Sequence, residues 1–204
     1  MFIGLSIIGA ISLAACNSGQ PSQEGHDAAA TSVDTTQAAA ETDTPVTSIT
    51  PQFATVDAKT AAGIKAVTDH YLELKNALAA DDDKAAASHS KAMEAALSSM
   101  DKSSLSAEQK KLYEENEEDL KEHAEHIGKN AGNITHQREH FASMSEDVYA
   151  LVKAFGGGQS LYHDYCPMYN EGKGALWLSE MKAISNPYFG KEMPHCGNVE
   201  EMIK

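Results

Sequence analysis

The sequence predicts an all-α fold: an antiparallel, up-down four-helix bundle followed by a small irregular C-terminal extension with room for one short strand pair. Three observations carry this. Apolar residues recur at steps of three and four between about Val56 and Phe155, the stripe of helices buried on one side. The breaks between the four stripes are short, so consecutive helices double back on one another. Gly156-Gly157-Gly158 then stops the pattern, and an aromatic-rich stretch punctuated by glycine and proline follows.

Ahead of the bundle, residues 1–15 are uncharged and strongly apolar from Phe2 to Ile11. The run is too short for a permanent membrane span and reads as a signal-peptide core. It ends Leu13-Ala14-Ala15-Cys16, which resembles the lipobox of bacterial lipoproteins, in which the cysteine is lipidated and becomes the mature N-terminus. The resemblance implies a palmitate-type lipid on Cys16 as the single membrane attachment. The basic segment that usually precedes such a core is missing, so the true start is expected a few residues upstream. An ordinary secretory signal with an incidental Cys16 is the alternative, and both readings put the chain in the cell envelope, facing the periplasm or exterior. Residues 16–52 are Ala, Thr, Ser, Gln and Pro with five acidic residues and no Lys or Arg after the cysteine. Such a stretch buries too little to offset chain entropy and is expected to be a disordered tether.

The bundle is expected over residues 53–156. Ile64, Val67, Tyr71, Leu74 and Leu78 mark the first helix, which should end at Asp81-Asp82-Asp83. That triplet suits capping of the next helix better than a calcium loop, which needs more oxygens at set spacing. The second helix, Lys84 to Ser99, carries His89, Met93, Ala96 and Met100 on one face; the stripe reads as core packing, with soft-metal binding as the alternative. Ser106-Ala107-Glu108-Gln109 is a capping box opening a long polar helix to Lys129, whose acidic run Glu114–Asp119 reads as a solvated face. Asn133 is a cap for the fourth helix, marked by Phe141, Met144, Val148, Leu151, Val152 and Phe155. His123 and His126 are three apart on the third helix, and His136 and His140 one turn apart on the fourth. In a hairpin the four imidazoles fall near one end, where they either bind zinc or cupric ion or form a hydrated, His-rich surface.

Residues 157–204 hold the rest of the chemistry-bearing side chains. Cys166 and Met168 lie two apart, and Met193, His195 and Cys196 form a second cluster thirty residues on, with Trp177 as a hydrophobic anchor between them. Thiolate, thioether and imidazole select cuprous ion, with silver or zinc as alternatives. The candidate metal ligands are Cys166, Cys196, Met168 and Met193, with His163 and His195 as alternates. The competing reading is a structural Cys166–Cys196 disulfide, natural outside the cytosol, in a docking module that binds another envelope protein.

From about Thr60 to Lys204 the chain resembles the domain of unknown function family 3347 (DUF3347). The resemblance rests on Tyr71-Leu72-Glu73-Leu74-Lys75-Asn76-Ala77-Leu78-Ala79-Ala80-Asp81, on Ala150-Leu151-Val152-Lys153-Ala154-Phe155-Gly156, and on Tyr165-Cys166-Pro167-Met168, Trp177-Leu178-Ser179, Asn186-Pro187-Tyr188-Phe189-Gly190, Met193 and Cys196-Gly197. The family occurs in exported bacterial proteins and fused to periplasmic adaptor subunits of heavy-metal efflux pumps, a context that implies copper or silver handling and an efflux adaptor as partner. The Tyr-Cys-Pro-Met tetrad also resembles the short heavy-metal-binding domain of copper-transporting ATPases, of whose paired cysteines this sequence has one half.

Net charge of −14 without a Lys/Arg cluster argues against a nucleic-acid partner. No Gly-x-Ser-x-Gly elbow, phosphate loop, dinucleotide fingerprint or metalloprotease helix is present, so no catalytic residue is assigned.

Overall fold

The computed structural model describes residues 45–204. The signal segment, Cys16 and the tether up to residue 44 lie outside the described residues. The elements run β1 (Thr47–Ile49), α1 (Ala58–Ala79), α2 (Asp83–Ser98), α3 (Ala107–Lys129), α4 (Ile134–Phe155), β2 (Leu161–Cys166), a one-turn α5 (Tyr169–Gly172), β3 (Ala175–Ser179), a 3-10 turn (Gly190–Glu192) and β4 (Asn198–Ile203).

Each long helix starts where a short polar side chain can take up its free N–H groups. Asp57 accepts from Lys59 N at 2.9 Å, Asp82 from Ala85 N at 2.9 Å and Asn133 from His136 N at 3.3 Å. Ser106 and Gln109 form the full reciprocal capping box. The acidic triplet is thus a corner: Asp82 caps α2, Asp83 accepts from Gly132 N, and Asp81, at φ 60°, accepts from Arg138 at 2.7 Å.

α1 packs on α2, α2 on α3, α3 on α4, and α4 back on α1. Tyr71, Leu74, Leu78, Met93, Leu120, Ile127, Phe141 and Met144 are fully buried between them. Each such side chain contributes roughly 1.5–3 kcal/mol of burial. Of the stripe expected on α2, Met93 and, just past the helix end, Met100 are core at 0 and 9 % exposure, whereas the His89 side chain is 35 % exposed at the surface between α1 and α2.

Two expectations are corrected here. The C-terminal segment is not an irregular extension with at most a strand pair but a four-stranded mixed sheet, ordered β1-β4-β2-β3, so the molecule is four long helices plus a sheet rather than all-α. β2 is antiparallel to both β3 and β4, with an irregularity between His163 and Asp164, and β1 is parallel to β4. The tether, expected to run to residue 52, ends sooner: Thr47–Ile49 pair with Glu201–Ile203, and Gln52 and Phe53 donate to Lys153 O and Ala154 O at 3.0 and 2.9 Å. Three residues next to a low-complexity stretch carry no periodicity. Their partner strand lies about 150 positions away in the chain.

The sheet docks through α1 and α4. Tyr71 Oη lies 2.8 Å from Ser145 Oγ of α4 and accepts from Leu178 N of β3 at 3.0 Å. Lys75 Nζ, fully buried, donates to Glu180 Oε2 at 2.9 Å, and Asn76 donates to Glu180 Oε1 at 2.9 Å. Trp177, also fully buried, anchors β3 against the Tyr188 ring.

Candidate metal centre

The turn between α3 and α4 is built by local chemistry. Asn130 Nδ2 donates to His126 O at 2.7 Å, closing α3, and Asn133 caps α4 three residues later. Ten residues apart in the chain, His126 and His136 therefore face each other across the turn. His123 lies one helical turn before His126 and His140 one turn after His136, so four imidazoles gather along one seam.

His140 is the hub. Its ring stacks on His126 at 4.3 Å and meets His136 edge-on at 4.6 Å, and its Nδ1 lies 3.1 Å from Nδ1 of His123. One nitrogen each from His126, His136 and His140 falls within 4.8 Å of the others, all three side chains half-buried. Carboxylates flank the group: Glu139 Oε2 is 3.3 Å from His136 Nδ1, and Glu122 Oε1 is 3.9 Å from His126 Nε2. Burial, and then the neighbouring imidazoles, hold the His140 pKa below the ordinary histidine value. Burial lowers that of His123 as well. Both rings are thereby kept neutral, with a lone pair available, at a pH where a solvated imidazole is already taking up protons. Neutral imidazole is the ligand that zinc and cupric ions share.

The sulfur cluster is arranged differently from a soft-metal shell. Cys166, on β2 and fully buried, and Cys196, in the turn before β4, place their Sγ atoms 2.8 Å apart as free cysteines. Two thiolates on one tetrahedral ion stand about 3.7 Å apart, given metal–sulfur bonds of roughly 2.3 Å, so the pair would have to open to admit one. The hydrogen bond to Cys166, and then burial, push the Cys196 thiol up to about 11, against the thiolate that a metal needs. Both methionines meet this pair through their backbone: Met168 N–H donates to the Cys196 sulfur, and Met193 O accepts from Cys196 N at 3.2 Å. The Met168 side chain is 57 % exposed.

The two alternate histidines lie apart from the sulfurs. His163 stands three residues before Cys166 on an extended strand, about 10 Å away along it; it stacks on Tyr149 at 4.5 Å and its Nδ1 is 3.8 Å from Glu201. Exposed His195 directs Nδ1 at Ile184 O, 3.2 Å away. The motif Asn186-Pro187-Tyr188-Phe189-Gly190 holds the Cys196 loop: Asn186 donates to Cys196 O at 2.6 Å and accepts from Tyr188 N and Phe189 N at 2.8 and 3.0 Å.

A third donor group was not legible as one in the sequence. His70 and Glu73 on α1 meet His89 on α2. The i, i+3 spacing of the first two was visible, but the packing that brings α2 alongside was needed to add the third.

Among the described residues no helix is long and apolar enough to cross a membrane. Residues 67–160 match the model of a family described as protein of unknown function (DUF3347). No curated protein and no solved structure matches the chain. The matched range contains all four clustered imidazoles and ends before Cys166.

Proposed function

With residues 67–160 belonging to the DUF3347 family as premise, we propose that this is a non-catalytic, lipid-anchored envelope protein that binds copper, with the seam of His126, His136, His140 and His123 as its metal centre. The single observation that carries the reading is the convergence of three imidazole nitrogens, from His126, His136 and His140, within 4.8 Å of one another. An all-nitrogen set suits cupric ion ahead of cuprous, and cupric ahead of zinc at equal availability. The half-buried position lets an ion enter from solvent and leave by exchange. The four helices are read as an antiparallel up-down bundle. Support comes from Arg138, near the start of α4, donating to Leu78 O near the end of α1 at 2.9 Å, and from the meeting of His126 and His136.

In this reading Cys166 and Cys196 tie β2 to the loop before β4. Their 2.8 Å approach favours the disulfide part of the docking-module alternative, and such a bridge is compatible with a metal centre on the other side of the α4–β2 connection. Lipid on Cys16 holds the protein at a membrane, and the chain's resemblance to domains fused to efflux adaptors supports delivery of the ion to such an adaptor.

Titration of the protein with cupric ion against a competing chelator tests the assignment. His140→Ala should weaken the tightest site by more than about tenfold, the scale already seen for losing an outer-shell partner, while Cys166→Ser/Cys196→Ser should leave it unchanged. The opposite pattern, with the serine variant losing the metal, returns the centre to the sulfurs and to cuprous ion.

A further inference from the structure

A second group of donors lies on a different pair of helices. His70 and Glu73 are one turn apart on α1, and His89 projects from α2 toward them. Glu73 Oε2 is 3.0 Å from His70 Nδ1 and 3.0 Å from His89 Nδ1, and one ligand atom from each residue falls within 4.8 Å of the other two. The carboxylate oxygen thus sits between two imidazole nitrogens contributed by separate helices.

We propose that His70, Glu73 and His89 form a second cation site, for a divalent borderline ion such as zinc, distinct from the imidazole seam of α3 and α4. Three features of the site argue for this. The donor set is two imidazoles and one carboxylate, the combination used by zinc sites that keep positions open for water. It contains no sulfur, so it selects against cuprous ion. The spacing is near what an ion demands: ligands about 2.0–2.2 Å from one tetrahedral zinc stand roughly 3.3–3.6 Å from each other, and the Glu73 oxygen, 3.0 Å from both nitrogens, needs to give only a few tenths of an ångström.

The platform beneath the site is rigid. Tyr71 and Leu74, on either side of Glu73 in the chain, are fully buried, and so is Ser90, next to His89, whose hydroxyl donates to Ala124 O at 2.8 Å. Helices locked on their inner faces hold the outer-face ligands in place without further ordering cost. The side chains themselves remain open to solvent: His70 is 34 %, His89 35 % and Glu73 52 % exposed. Ligands so placed exchange their ion readily. The hydrogen bond from His70 lowers the Glu73 pKa and keeps the carboxylate ionised to meet a dication. The alternative role is a simple ion-paired brace between α1 and α2, which needs no metal.

Zinc binding to the full chain, followed by native mass spectrometry and by equilibrium dialysis, separates the two. The wild-type protein is expected to take up two zinc ions. Glu73→Gln and, independently, His89→Gln should each lower this to one, weakening the lost site by more than about tenfold, with unchanged helical circular dichroism. His140→Ala should remove the other ion and leave the Glu73-dependent one. If Glu73→Gln and His89→Gln both bind zinc with wild-type number and affinity, the brace is the whole role and the proposal fails. Loss of an ion in these variants alone, with His140→Ala behaving as wild type, would uphold this site and overturn the imidazole seam.

Discussion

Asp164 is a carboxyl group in an unusual place: fully buried on β2, with neither oxygen hydrogen-bonded. Burial pushes its pKa up to about 8, against the partial relief offered by the charge of Lys75. Its folded pKa therefore lies above the unfolded value of about 3.9. The folded state binds the extra proton, so the contribution is fully present below about pH 4 and is lost as pH rises through about 8. The urea midpoint of the wild-type protein should fall between pH 5 and pH 8.5 by more than that of Asp164→Asn; parallel pH profiles for the two would refute the assignment. Gly190 is a residue-scale requirement of another kind. Its φ is +53°, and a Cβ there would come 1.9 Å from Asp81 Oδ1 and 2.6 Å from an Arg138 nitrogen. Gly190→Ala should cost about 2 kcal/mol through backbone strain and displacement of that ion pair, measurable by chemical denaturation.

At the scale of elements, α1 is the strut between bundle and sheet. Tyr71, Lys75 and Asn76, three members of the motif Tyr71–Asp81, all reach β3 or the residue that follows it. Only the one-turn step from Tyr71 to Lys75, with Asn76 directly after it, was readable in the chain; their common target was not. A lysine with no exposed surface is held because its ammonium group meets Glu180 at 2.9 Å and Ser179 Oγ at 3.4 Å. Lys75→Met keeps the volume but leaves Glu180 without its cation, and should destabilise by about 3 kcal/mol. A loss below about 0.5 kcal/mol would show that the pair contributes nothing. The starts of α2, α3 and α4, by contrast, were legible residue by residue, while the Asp57 cap of α1 was found only in the structure. Ser106 and Gln109 satisfy each other's backbone N–H groups at 3.2 and 3.0 Å, because the capping box depends on four consecutive residues alone.

For the molecule as a whole, the imidazole seam couples stability to pH and, in the proposed function, to metal. His123 and His140 have folded pKa values below the ordinary histidine value, so the unfolded chain binds more protons near neutrality. Metal-free protein should accordingly lose stability as pH falls through about 6.5. Cupric ion at a hundred times its dissociation constant should restore about 2.7 kcal/mol at pH 7.5, and that gain should shrink toward pH 5 as protons displace the metal. Thermal denaturation at the two pH values, with and without the ion, checks both signs.

The sequence by itself determined the four long helices, the caps of the last three and the burial of most of their stripe residues, because those depend on interactions three or four residues apart. It also brought the four histidines to one end, since a short turn leaves helices α3 and α4 no other choice. The sheet, the capture of Thr47–Ile49 by β4, the 2.8 Å meeting of Cys166 and Cys196 and the joining of His89 to His70 and Glu73 were decided only by tertiary structure. Each brings together residues at least sixteen positions apart, and no local periodicity records which distant face a strand or side chain will find.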